Sequence, residues 1–127
     1  MSDHDIEKEI QVKGLTAPRV TAEDIEANIA SEQYFTAGEG VFGAASAFDR
    51  TEGLYTPDAL DLLTFCVLVL RNGFTVTGES ACASPENFNA EIGRKIAREN
   101  AINKIWPLMG YELRSKLAVI ENLKAGG

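Results

Sequence analysis

LLTFCVLVLRNGFTVTGES, residues 62–80, decides the fold. Phe65 to Leu70 is a continuous apolar run of β-prone residues, the pattern of a strand covered on both faces. Asn72-Gly73 is a strong hairpin signal, because a type I′ turn needs positive φ at both central residues. Phe74 to Thr77 returns as a second strand. A two-residue loop pairs Arg71 with Phe74, Val69 with Val76 and Val67 with Gly78. One face of the hairpin then carries Phe65, Val67, Val69, Phe74 and Val76, and the other carries Leu68, Leu70, Thr75, Thr77 and Glu79.

Downstream, Ser84-Pro85-Glu86 reads as a helix start, with a serine cap, proline in the first turn and an acid beside it. Phe88, Ile92, Ile96 and Ile102 carry that helix to about Trp106, where Pro107 should stop or kink it. Ala90, Gly93, Ala97 and Ala101 form a second stripe of small residues. Gly93 costs about 1 kcal/mol relative to alanine inside a helix, so close approach of another backbone is expected there. A last helix is expected over about 110–123.

Upstream, Thr21 with Asp24 makes a near-capping box, and Val20 with Ile25 makes a hydrophobic staple. The helix they start should reach about Ser31 or Glu32. From Tyr34 to Leu54 glycine and alanine dominate, which predicts an irregular loop. A short helix follows over 57–63, capped by Thr56. Residues 1–19 read as a loose arm, with a short helix at Ile6 to Val12, ahead of a single domain over 20–127. The fold class expected is α+β: a small antiparallel sheet packed with a long helix, plus N- and C-terminal helices.

The 127 residues have ordinary composition, 45% apolar and 24% charged. A net charge of −7 argues against DNA binding by bulk attraction. The charge is uneven. Residues 1–61 hold 13 acids and 4 bases, whereas residues 62–127 hold 6 acids and 8 bases. The basic half could hold a small anion. Cys66 and Cys82 form no zinc pattern, and Cys66 reads as a reduced core residue. The N-terminus lacks a signal peptide, and Phe65 to Leu70 is too short to cross a membrane, so the expected compartment is the cytoplasm.

Catalytic motifs are missing. His4 is the only histidine and stands in the arm, and no nucleophile elbow, zinc-protease helix or P-loop sequence occurs. Neither Ser80 nor Cys82 has a recognisable base near it. The expectation is a protein that binds, with no enzymatic step and no cofactor. Its strongest constellation is the polar face of the main helix: Arg94 and Arg98 one turn apart, then Asn100 and Asn103. Guanidinium groups hold phosphate oxygens bidentately, and asparagine suits a base edge. Arg71 and Phe74 offer a cation beside an aromatic plate at the hairpin tip. Phe88 and Trp106 read as core anchors, with base stacking or a subunit interface as the alternative. Tyr34 and Phe35 either close over a ligand or pack on the hairpin. Glu91 with Lys95 or Arg94 could equally be ordinary surface pairs.

The hairpin NGFTVTGESAC, the helix NF-E-x-GRKIA and the closing KIWPL, with weaker likeness in QYFTAGEGVFGA at 33–44, resemble a family of small tailed-phage proteins of the gene-forty-nine kind. The likeness covers about residues 62–118. That family is similar to the first type of Thoeris anti-defence proteins. These are phage sponges for the cyclic ADP-ribose isomer made by host TIR-domain enzymes, and some also hold CBASS cyclic di- or trinucleotides. The resemblance implies a host-cytoplasmic sponge that binds a cyclic nucleotide intact, with no DNA or membrane partner. It implies homo-oligomers, dimers or hexamers, with pockets between subunits. Carried onto this sequence, it implicates Arg71, Phe74, Arg94, Arg98, Asn100 and Asn103; on its residue type, Phe88 joins them as a ligand-binding candidate. Two other functions fit the composition: a protein-binding inhibitor or acidic nucleic-acid mimic, and a structural or accessory phage protein.

Overall fold

The computed structural model describes residues 3–15 and 17–126. Its elements run α1 (Asp3–Val12), α2 (Ala22–Ala27), β1 (Ile29–Thr36), α3 (Ala37–Ser46), β2 (Leu63–Leu70), β3 (Thr75–Ala81) and α4 (Ala90–Gly126), with single 3-10 turns at Asp58–Leu62 and Pro85–Asn87. The architecture is α+β. The three strands form one antiparallel sheet in the order β1-β2-β3, and α4 lies across one face of it.

The hairpin exists, shifted by one residue from the expected pairing. Leu68 pairs with Val76 and Cys66 with Gly78. The loop has three residues, Arg71-Asn72-Gly73. Leu70 accepts from the Gly73 amide at 2.9 Å and donates to the Phe74 carbonyl at 2.8 Å. Gly73 alone takes positive φ, at 91°, while the Asn72 side chain accepts from the Phe74 amide at 2.9 Å. A type I turn followed by a left-handed glycine replaces the type I′ turn. A one-residue slip turns a strand over. Val76 and Gly78 therefore join Thr64, Cys66, Leu68 and Leu70 on the buried face. Phe65, Val67 and Val69 stay half-exposed on the other, so β2 is covered fully on one face only.

Gly78 explains why that register wins. A Cβ there would collide with the carbonyl of Ala97 and the amide of Ala101. The helix backbone rests directly on the strand, and the stripe of Gly93, Ala97, Ala101 and Ile105 is buried against the sheet. The close approach expected of the small residues occurs inside the protomer. Ile92 and Ile96, on the other stripe of the helix, are 55% and 45% exposed.

Several boundaries differ from expectation. The α4 cap is Asn89, whose side chain accepts from the Ile92 amide at 3.0 Å; Ser84 makes no side-chain cap. Pro107 sits inside α4, which continues without a break to Gly126. Its ring removes one backbone bond, and the packing of Ile105, Trp106 and Met109 on the core carries the helix past it. The Thr21–Asp24 capping box is as read and Ile25 is buried, but α2 ends at Ala27 with Asn28 as its C-cap. Ile29 opens β1 instead of continuing the helix. The 57–63 segment is a 3-10 turn starting at Asp58, and neither Thr56 nor any other side chain caps it.

The glycine-rich stretch is not a loop over its whole length. Its first residues complete β1, and α3 follows. Thr36 accepts from the Glu39 amide at 3.1 Å, and the Glu39 carboxylate accepts from the Thr36 amide at 2.9 Å. That reciprocal pair outweighs the weak helix propensity of Gly38, Gly40 and Gly43. In the N-terminal arm, α1 is tied to the segment before α2 by Arg19 and Glu7 at 2.7 Å. No helix among the described residues is long and apolar enough to cross a membrane.

Candidate functional site

The groove between β1 and the start of α4 holds the arrangement most suited to binding. It contains a cleft of about 280 Å³ lined by Tyr34, Phe35, Thr36, Glu39, Thr64, Phe88 and Arg94. Each wall has a local cause. Tyr34 and Phe35 lie on β1, whose pairing sets Phe35 opposite Phe65, with ring centroids 5.6 Å apart. Thr36 begins α3. Thr64 is 3% exposed on the helix-covered face of β2, and Gly93 lets α4 come close to it. The 3-10 turn over 85–87 delivers Phe88 to the mouth. Arg94 follows on the first turns of α4.

Arg94 has no ion pair among the described residues, whereas Glu91 pairs with Lys95 at 3.2 Å. The ordinary surface pairing thus holds for Lys95 and leaves the Arg94 guanidinium free. Glu39 also lines the cleft, but its carboxylate is engaged in the α3 cap. The result is a cation and two threonine hydroxyls among three aromatic rings, a combination that can hold a phosphate beside a flat base.

Arg98, one turn on, is committed elsewhere. It donates to both oxygens of Glu26, at 2.9 and 2.7 Å, and to Glu32 at 2.7 Å, and is 27% exposed. The hydrogen bonds from Arg98 hold the Glu26 carboxyl below the usual carboxylate range. They hold the guanidinium itself above its usual range. Beside this ion cluster lies a separate cavity of about 480 Å³, lined among others by Asp3, His4, Ile25, Arg98, Ile102 and Trp106. Tyr34, a wall of the Arg94 cleft, reaches the ion cluster through Glu32. Its hydroxyl donates to Glu32 at 3.3 Å, and burial pushes its pKa up to about 12. Burial likewise pushes the thiol of Cys66 up.

The remaining sequence candidates are dispersed. Arg71 closes the C-terminal end of α2, donating to the Ala27 carbonyl at 2.7 Å. Phe74 lies at the hairpin tip with Lys104, Leu108 and Tyr111. Asn100 faces the far edge and donates to the Glu79 carbonyl at 2.8 Å. Asn103 lies with Trp106 near Arg19 and Val20. Only Arg94 and Phe88 share a cleft. Thr36 and Thr64 were not anticipated as wall residues. The signal for Thr36 was legible as the Thr-x-x-Glu spacing of a capping box, whereas nothing local marks Thr64.

The model of the Phage protein (N4 Gp49/phage Sf6 gene 66) family matches residues 20–117. The chain belongs to this family. The matched span starts at the residue that staples α2 and ends at Leu117 in α4, so it contains the sheet and every wall of the Arg94 cleft. Of the described elements, α1 and the last turns of α4 lie outside it. No curated protein and no solved structure matches the chain.

Proposed function

We propose that this phage protein binds a phosphorylated signalling nucleotide and holds it intact, acting in the host cytoplasm as an anti-defence sponge. The observation that carries the reading is the unpaired Arg94 guanidinium in a cleft walled by Tyr34, Phe35 and Phe88. A phosphate would take the guanidinium fork and the threonine hydroxyls, and a purine would lie between the rings. Holding without cleavage is favoured because the one carboxylate in the cleft is bound into a helix cap and no histidine lines it.

The cleft of 280 Å³ falls just under the range of about 300–1,000 Å³ typical of ligand pockets. One protomer therefore encloses a base and a phosphate. A cyclic ADP-ribose isomer suits this enclosure better than the larger cyclic di- or trinucleotides.

A thermal-shift panel of cyclic nucleotides, followed by mass analysis of the released ligand, tests the reading. Arg94→Ala should weaken binding by about 1.5–3 kcal/mol, roughly 10- to 150-fold, without unfolding the protein. A protein indifferent to every nucleotide, or one that releases a cleaved product, overturns it.

A further inference from the structure

The packing of α4 stops well before the helix does. Its 37 residues span about 55 Å at 1.5 Å each. The strands it covers have seven or eight residues, or about 25 Å. The last α4 side chain packed on the core is Met109, and no described residue after Ile105 is buried. Beyond it the helix carries an apolar stripe at Leu113, Leu117 and Ile120, followed by Lys124. The steps of four, three and four residues are those of a coiled-coil seam.

The charges beside this seam are self-complementary. Arg114 and Glu121 each stand one residue after a seam position, on the same flank and seven apart. Within one chain they can meet only by stretching over two turns, which they do at 2.8 Å, both more than half exposed. An antiparallel second helix relieves that reach. Setting Leu117 against Ile120 of another copy places Arg114 of each chain opposite Glu121 of the other, twice over by symmetry. In the same register Lys124 lays its stem along Leu113 and keeps its ammonium in water. Parallel pairing would set Lys124 against itself. It would also need the seam at Trp106, where the chain's own α1 and the segment before α2 already lie.

We propose that the overhanging end of α4 is a self-association surface, on which two copies pair antiparallel along Leu113, Leu117 and Ile120 with Arg114 of each facing Glu121 of the other. The surface is separate from the ligand reading. Arg94 is twenty residues away along the helix, about 30 Å, so loss of assembly and loss of binding can be told apart.

The test is sedimentation of the full chain over a wide concentration range, with two charge-reversal variants. Glu121→Arg gives two arginines on the flank, and Arg114→Glu gives two glutamates. Each alone should associate about tenfold more weakly than wild type, or worse, while keeping its helical circular dichroism. Mixing the two should restore a dimer containing one copy of each. Repair within a helix cannot produce that result, because each variant still carries a like-charged pair in its own chain. Leu117→Lys should abolish the dimer. Wild type that stays monomeric throughout, variants that associate like wild type, or a mixture that fails to recover each overturn the proposal.

Discussion

Arg98 stands between Glu26 and Glu32, three-quarters shielded from water, and ties α2, β1 and α4 together. Arg98→Ala leaves two carboxylates facing each other and should cost about 1–2 kcal/mol in urea unfolding. The pH sign follows from Glu26. Its folded pKa is lowered, so its stabilisation is present above the unfolded value of 4.5 and is lost as pH falls through the folded one. Arg98→Ala should therefore flatten the acid limb of the stability profile. Tyr34 works in the opposite direction. Its pKa rises from 10.0 to about 12, so its contribution is complete below pH 10 and lost as pH climbs through 12. In Tyr34→Phe that alkaline loss should disappear.

At the scale of elements, the hairpin register is the decisive variable. Leu68 is 0% exposed and faces α4, whereas Val69 is half-exposed on the open face. Leu68→Asp should abolish folding, because it buries an unpaired charge. Val69→Asp should fold with a modest loss; under the two-residue turn that Asn72-Gly73 suggests, Val69 would instead sit beside Val76 on the apolar face. Circular dichroism of the two variants separates the registers. Gly78→Ala should cost about 1–3 kcal/mol by overpacking, since α4 must move off the strand to admit a methyl group. A normal midpoint in Gly78→Ala would contradict the observed helix–strand contact.

For the whole molecule, the family membership places the chain among phage proteins, and the Arg94 cleft supplies the chemistry on which a function can be argued. A messenger nucleotide present at about 100 times its dissociation constant should add about 2.7 kcal/mol of stability, visible as a rise in melting temperature. The rise should vanish in Arg94→Ala and persist in the α4 variants that break self-association. If both classes of variant lose it together, the ligand lies across an interface built from α4, and the cleft assignment must move there.

The local signals that survive into the fold are those complete within a few residues. They include the Thr21 capping box, the apolar run of β2, the turn at Asn72-Gly73 and the small-residue stripe of α4. Each is a short-range steric or hydrogen-bonding preference, so neighbouring residues are enough to express it. The opening strand, the hairpin register and the fates of the two arginines were settled elsewhere. Ile29 becomes a strand because β2 offers it a ladder. Gly78 selects the register because α4 presses on it from about twenty residues away in sequence. Arg98 is consumed because Glu26 and Glu32, some seventy residues upstream, fold back to meet it, while Arg94 one turn earlier meets no acid among the described residues. Residue type told which groups could bind an anion. Only the three-dimensional packing decided which of them is left free to do so.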